Sequence, residues 1–304
     1  MSEKKLTKKA KNKVIIIAVA VVFVIALVAT LIGNSDKLYE MFGIEPTPDL
    51  SENTIEVHYL DVGQGDCEII VSGEDIMLID AGEKEYADTV ITYIETLGFD
   101  TIDYVIATHP HSDHIGAMSE VIDAFTVENI IMPKLVKRNT PTTACYEDML
   151  KSIQSSGATV YAAYPEDTYS FGEAEITILA PFVQSDELNN MSVVCKMTYG
   201  ETSFLFTGDC EAKVEKQILQ HNYDISANVL KVGHHGSSTS SSKEFIEAIN
   251  PKYAVISCAT DNSYGHPHSE VLSLFDEMEI EVLRTDKIGN IIIKSDGVNI
   301  KVEK

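Results

Sequence analysis

The residues best suited to chemistry stand in Thr108-His109-Pro110-His111-Ser112-Asp113-His114, directly after an apolar run that ends at Ala107. In extended backbone His109 and His111 face the same way, because side chains alternate with period two. Pro110 disfavours helix at His109 and so helps keep that stretch extended. Four nitrogen or oxygen donors (His109, His111, Asp113 and His114) within six residues exceed what ordinary core hydrogen bonds can satisfy. They suit a divalent cation such as Zn2+ or Mn2+. Later in the chain a Gly-Asp pair stands at a strand end, in Phe206-Thr207-Gly208-Asp209, and a His-His pair in Lys231-Val232-Gly233-His234-His235-Gly236. Taken singly, these later positions are weak signals.

One or two such cations activate water and stabilise developing charge, which suits phosphodiester cleavage and equally the opening of a lactam, lactone or thioester. His266, in Gly265-His266-Pro267-His268, is placed either to protonate a leaving oxygen or touch a phosphate, or to serve loop structure. Ser237–Ser242 has two readings. Ser241 followed by Glu244 is spaced as a capping box for a helix from Phe245. The same helix start, with Ser237 near His234, is a candidate anion cradle. His58 reads as structural or near the site, and His221 as lying on a solvated helix face.

Short β-rich runs must position these groups. Ile55–Val62, Cys67–Val71 and Ile76–Ile79 are separated by Gly-containing turns and read as antiparallel hairpins. Tyr86–Leu97 carries helical spacing, and Tyr104–Ala107 is a strand that delivers the His cluster. Strands are expected at Ile176–Leu179, Ser192–Tyr199, Ser203–Phe206, Val229–Val232, Tyr253–Ser257, Val282–Arg284, Asn290–Lys294 and Val298–Val302. Helices are expected at Ala212–Gln220, Lys243–Ile249 and Ser269–Met278. Strands in hairpins with interspersed helices predict an α/β domain of two packed sheets with helices outside.

The 304 residues carry a formal charge of −24, and a leader of +5 over residues 1–13 leaves −29 on the rest. So acidic a body repels polyanions at long range and excludes broad, non-specific grip on nucleic acid. Only Lys134, Lys137 and Arg138 form a small basic cluster. Val14–Ile32 is 19 uncharged, mostly apolar residues, about 28 Å as a helix and close to the hydrocarbon thickness. A cleavable signal peptide has a shorter apolar core, so an uncleaved anchor is the expectation. Six preceding Lys place residues 1–13 in the cytoplasm as a basic tail. The organisation is then a tail at 1–13, a transmembrane signal anchor at 14–32, a polar linker at 33–53, and an extracytoplasmic domain at 54–304. Five Cys without a CxxC pair signal neither a disulfide framework nor a Cys zinc site.

His109, His111, Asp113 and His114 match the H-x-H-x-D-H signature of the metallo-β-lactamase superfamily, and the order of surrounding elements resembles it too. The resemblance implies an αββα sandwich and a hydrolase using one or two divalent ions, Zn2+ or Mn2+. Asp80 resembles the family's strand-end Asp that supports the ligand loop, Asp209 its bridging carboxylate and His234 its late His ligand. A narrower resemblance, to the extracytoplasmic hydrolase-like domain of the ComEC competence proteins, rests on His58-Tyr59-Leu60-Asp61-Val62-Gly63-Gln64-Gly65-Asp66. It rests also on Asn189-Asn190-Met191-Ser192, His234-His235-Gly236-Ser237-Ser238 and Asn262-Ser263-Tyr264-Gly265-His266-Pro267-His268. Asn190 stands where many superfamily members have another His ligand. The implied first ion has His109, His111 and Asp209 with Asn190 or water; the second has Asp113, His114, Asp209 and His234. Asp113 and His266 are the expected catalytic groups, with Asp80, Asn190, His235 and Ser237 supporting. The expected substrate is a phosphodiester: DNA, or a small or wall-linked diester. The alternatives are a lactam, lactone or thioester hydrolase and a non-catalytic metal-binding partner module.

Overall fold

The computed structural model describes residues 53–182 and 184–303. The expected anchor at Val14–Ile32 lies outside the described residues, among which no helix is long and apolar enough to cross a membrane.

Two sheets make up the body from residue 53 onward. The first contains β1 (Ile55–Tyr59), β2 (Glu68–Ser72), β3 (Asp75–Ile79), β4 (Thr101–Ile106), β5 (Thr126–Met132), β6 (Thr159–Ala162), β14 (Ile291–Ser295) and β15 (Ile300–Glu303). Their order is β15-β14-β1-β2-β3-β4-β5-β6, antiparallel up to β3 and parallel beyond it. The second contains β7 (Thr168–Phe171), β8 (Ala174–Ala180), β9 (Val194–Tyr199), β10 (Thr202–Phe206), β11 (Val229–Lys231), β12 (Tyr253–Ile256) and β13 (Glu281–Arg284). It runs β13-β12-β11-β10-β9-β8-β7, antiparallel from β7 to β10 and parallel from β10 to β13.

The sheets meet through inward residues such as Val57, Ile70, Met77, Phe204, Phe206, Val229 and Val255. Helices α1 (Ala87–Leu97), α2 (Ser112–Ile115), α3 (Met118–Ala124) and α4 (Ala144–Ser156) follow strands of the first sheet. Val90, Ile94, Met118, Val121, Met149 and Ile153 from α1, α3 and α4 pack on its outer face. Helices α5 (Ala212–His221), α6 (Lys243–Ile249) and α7 (Ser269–Glu277) cover the other sheet through Val214, Ile218, Phe245, Ile246, Val271 and Phe275. A short α8 (Thr285–Ile288) follows β13. Strands covered on both faces read as unbroken apolar runs rather than alternating ones, and β11 and β12 are buried throughout. The two-sheet, helix-flanked α/β architecture is therefore the expected one.

Parallel strands put successive carboxyl ends on one side of a sheet, where binding groups of open α/β sheets gather. Here Asp80 follows β3, residues 107–114 follow β4, Asp209 follows β10, residues 232–236 follow β11 and residues 257–268 follow β12. Gly65 lets the first of the ComEC-like motifs close on this edge. A Cβ there would lie 2.4 Å from the Asp113 carbonyl oxygen, and the next amide, Asp66 N–H, donates to that oxygen at 3.1 Å.

The expected capping box is corrected. Helix α6 has Ser242 at its start with no side-chain cap. Instead the buried Glu215 carboxylate, reaching over from α5, accepts the amides of Ser241 and Ser242. That end is already satisfied by the protein's own anion, so the expected anion cradle there is corrected as well. The Cys thiols are all free, and Cys67, Cys195, Cys210 and Cys258 are buried.

Candidate metal centre

His109 is buried after β4. Its Nδ1 meets Thr108 Oγ at 3.2 Å, and that hydroxyl in turn donates to Asp80 at 2.6 Å, so the imidazole carries its proton on Nδ1. Nε2 is left as a lone pair, 3.0 Å from His111 Nδ1 and 3.7 Å from Asp209 Oδ2. Burial and the neighbouring His114 hold the His109 pKa well below its ordinary value, and burial lowers that of His111. Neutral imidazoles with converging lone pairs are what a cation needs.

His114 is held by Asp80, whose Oδ2 lies 2.7 Å from its Nδ1. Asp80 is buried at φ 55°, an uncommon region for a non-glycine residue, and also accepts the Thr108 amide at 2.8 Å. His114 Nε2 then faces Asp209 Oδ1 at 3.2 Å. On the other sheet His235 Nδ1 donates to the Ser257 carbonyl at 3.0 Å, which turns Nε2 toward Asp113 Oδ2 at 3.3 Å and Asp209 Oδ1 at 3.7 Å.

The ligand-type atoms of Asp113, His114, Asp209 and His235 lie within 4.8 Å of one another, as do those of His109, His111 and Asp209. Asp209 belongs to both groups, one oxygen toward each. His114 Nε2, His235 Nε2 and Asp209 Oδ1 are buried and have no hydrogen-bond partner. Orphaned buried polar atoms of this kind are costly unless something satisfies them, and divalent cations would do so with this donor set. The residues fit the ions that the resemblance implies.

One expected ligand changes place. His234 was expected beside Asp113 and His114, but its neighbour His235 stands there. The turn Gly233–Gly236 holds both residues in the left-handed region, at φ 52° and 54°, which sends consecutive side chains in directions the sequence does not reveal. His234 Nδ1 meets Thr239 Oγ at 2.9 Å, and its Nε2 lies 3.8 Å from the other Asp209 oxygen. Ser237 supports that arrangement, its Oγ 3.1 Å from Thr239 Oγ. Asn190 donates to Glu211 at 2.8 Å and keeps a buried Oδ1 without a partner.

His266 lines the same cleft, a space of about 390 Å3 bounded also by Gln64, His111, Asp113, His234, His235 and Tyr264. Ala259 N–H donates to Gln64 Oε1 at 3.1 Å, which turns the Gln64 amide nitrogen toward His266 Nδ1 at 3.4 Å. The imidazole is therefore the Nε2–H tautomer. Burial, then the nearby His235 and His234, push its pKa down to about 4. In this state His266 offers its Nε2–H to the cleft as a neutral hydrogen-bond donor. The Lys134, Lys137 and Arg138 cluster is absent from the cleft wall, and Arg138 pairs with Asp186 at 3.1 Å. His58 bonds Tyr93 at 2.9 Å, outside the donor groups. His221 stacks on Phe182 with ring centroids 4.3 Å apart.

Sequence reasoning missed two participants, Asp66 and Lys231. Their side chains form a buried ion pair of 2.6 Å beneath His235. No local spacing signals a pair 165 residues apart.

The electrostatics carry a prediction about metal uptake. Burial opposes charge on His114 and His235, but surrounding carboxylates outweigh it. Asp209, Asp80 and Asp113 raise His114 well above its ordinary value, and Asp209, Asp66 and Asp113 push His235 up to about 10. The metal-free chain therefore holds the His235 proton at pH 7.5, and the His114 shift runs in the same direction. Because a cation needs that lone pair, loading releases at least about one proton per chain, and affinity climbs as pH rises toward 10. Calorimetric titration in buffers of different ionisation heat measures the number; a value near zero contradicts the assignment.

Residues 60–260 match the family model described as the metallo-beta-lactamase superfamily. ComE operon protein 3 of Bacillus subtilis (strain 168) is 31% identical over 255 residues, covering 78% of this chain and 32% of that protein. Competence protein ComA of Neisseria gonorrhoeae is 28% identical over 241 residues, covering 78% and 32%. The chain thus spans about a third of the length of these curated relatives. Among solved structures, the metallo-beta-lactamase fold protein YhfI from Bacillus subtilis superposes with a TM-score of 0.56 at 14% identity, covering 80% of this chain and all of that one. CmlA, a diiron beta-hydroxylase from Streptomyces venezuelae, gives 0.54 at 16% identity, covering 86% and 59%. At these identities the structural likeness is one of fold.

Proposed function

The chain belongs to the metallo-β-lactamase superfamily, and from that premise we propose that it is a metal-dependent phosphodiesterase, tethered to the membrane by Val14–Ile32 with its catalytic body outside the cytoplasm. The observation that carries this reading is the convergence of two donor groups on the two oxygens of one buried carboxylate, Asp209.

In this reading His109, His111 and Asp209 hold one divalent ion, and Asp113, His114, Asp209 and His235 hold the other. Bound there, such ions polarise a phosphoryl oxygen and lower the pKa of water enough to make a nucleophile at neutral pH. The chain's own residues do the rest. Asp80 and the Ser257 carbonyl keep the His114 and His235 lone pairs turned inward. Gln64 keeps the His266 Nε2–H available to a phosphate oxygen. Asp113, whose pKa falls to about 2 because His114 and His235 outweigh its burial, stays ionised through the working pH range.

Charge selects the substrate class. Among the described residues no Lys or Arg lines the cleft, so positive charge there comes from the ions alone. That favours a singly charged diester over a dianionic monoester or a polyphosphate. The −29 body works against long nucleic acid unless it is delivered locally. Small or wall-linked diesters fit as well as DNA. The ComEC-like motifs around Asp66, Asn190, His234 and His266 favour a diester.

The full-length chain in detergent, loaded with Mn2+ or Zn2+, is expected to hydrolyse an activated phosphodiester faster than the matching monoester and to leave a chromogenic β-lactam intact. Cleavage of the lactam alone overturns the reading, and no turnover at full metal loading makes the body a non-catalytic metal module. In intact cells, Cys residues introduced across the body are expected to react with an impermeant maleimide. Protection throughout would reverse the orientation.

A further inference from the structure

Beneath the donor groups lies a charge network that the ligand assignments do not use. Lys231 ends β11 in the middle of the second sheet and is almost wholly buried. Its Nζ lies 2.6 Å from Asp66 Oδ2 and 4.0 Å from Glu68 Oε1, both on the first sheet's side. Burial opposes charge on each member. The facing carboxylates nonetheless raise the Lys231 pKa, and Lys231 with His235 keeps Asp66 well below the carboxylate range. Burial and the neighbouring Asp66 push Glu68 up. The Lys231–Asp66 contact thus crosses from the second sheet to the loop that leads into the first.

Asp66 carries this charge to the site. Its Oδ1 is 3.2 Å from His235 Nδ1, and its Oδ2 is 4.0 Å from His114 Nδ1. Its backbone is tied in as well: Asp66 N–H donates to the Asp113 carbonyl at 3.1 Å, and Gly82 N–H donates to the Asp66 carbonyl at 2.9 Å. Three residues that face the second ion position (Asp113, His114, His235) are thus each one contact from Asp66. Asp66, Asp80 and His114 also form a third buried donor group. The Lys231 ammonium takes up its Asp66 oxygen, and Asp80 is committed to Thr108 and His114. No third ion is needed there. A buried ion pair is weak evidence for stability, since apolar replacements often do as well. Its place under two imidazoles calls for another role.

We propose that Lys231, through its 2.6 Å contact, holds Asp66 against His235 Nδ1, where it adds to the Ser257 carbonyl in orienting that imidazole, which makes Lys231 and Asp66 positioning residues for the second ion. The proposal rests on the two-ion reading above. Groups that orient metal-binding imidazoles typically change affinity 10–100-fold when removed.

The test is metal titration of the full-length metal-free chain against a chromophoric chelator, paired with the Co2+ absorption spectrum and thermal unfolding of the metal-free form. In Lys231→Met, and in Lys231→Met/Asp66→Asn, which removes both members of the close ion pair, one of two equivalents is expected to weaken at least about tenfold. The other equivalent stays within about twofold, and the Co2+ band of the weakened position changes. A purely structural pair would lower the unfolding temperature and leave both affinities and the spectrum unchanged, which overturns the proposal. Failure of both variants to fold overturns it too, because the pair is then a core element alone. Absence of metal binding in the unaltered chain would instead sink the two-ion reading.

Discussion

Asp209→Ala is expected to abolish hydrolysis, with a fall of at least about 10^3-fold, equivalent to ~4 kcal/mol of transition-state stabilisation. It is also expected to leave the chain unable to hold two ions together. Asp209 is 1% exposed, and its Oδ1 faces His114 and His235 while its Oδ2 faces His109 and His234. Burial alone would favour its neutral form, but His114 and His235 outweigh that and keep it ionised. The Ser192 hydroxyl fixes its amide at 3.1 Å. No other carboxylate among the described residues belongs to both ligand groups. Asp209→Asn preserves the shape and removes the charge and one acceptor oxygen, so it is expected to bind one equivalent at most. Elemental analysis and diester turnover of the two variants check this together. A variant that keeps two ions and wild-type turnover contradicts the bridging role.

Exchange of the adjacent histidines separates roles that the sequence alone leaves merged. His235→Ala is expected to lose one equivalent of metal and about 10^3-fold in rate, because its Nε2 completes the group with Asp113, His114 and Asp209. His234→Ala is expected to keep both equivalents and lose less, about tenfold to a hundredfold, since His234 lies at the cleft wall with its Nδ1 held by Thr239. Metal stoichiometry decides between them: a lost equivalent in His234→Ala with two retained in His235→Ala would reverse the assignment.

Those two residues also show where sequence reading stops. His109, His111, Asp113 and His114 were legible because their spacing on a strand end and the following turn fixes where they point. Asp80 and Asp209 were legible as strand-end carboxylates in the right order. The choice between His234 and His235 was not legible, because it depends on two consecutive left-handed backbone conformations. The helix start at Lys243 was read correctly, yet its cap was misassigned, since Glu215 reaches it from α5. Buried strands such as β3, β10 and β12 announce themselves as apolar runs. The segment from β5 through β7 went unread. There β6 is exposed at three of its four residues, and β7 alternates with only Phe171 fully buried. An edge strand buries too little to leave a clear periodic signal. Asp66 and Lys231 were invisible for the opposite reason: only the packing of the two sheets brings them together.

The most direct measurement is anomalous diffraction from crystals of the Mn2+- or Zn2+-loaded chain. Two peaks about 3.5–4 Å apart are expected, one on each side of the Asp209 carboxylate, the first within bonding distance of His109 and His111 and the second of Asp113, His114 and His235. Peaks elsewhere, or a bound ion that leaves Asp209 outside its coordination shell, would contradict a shared two-ion centre and the water-activating chemistry built on it.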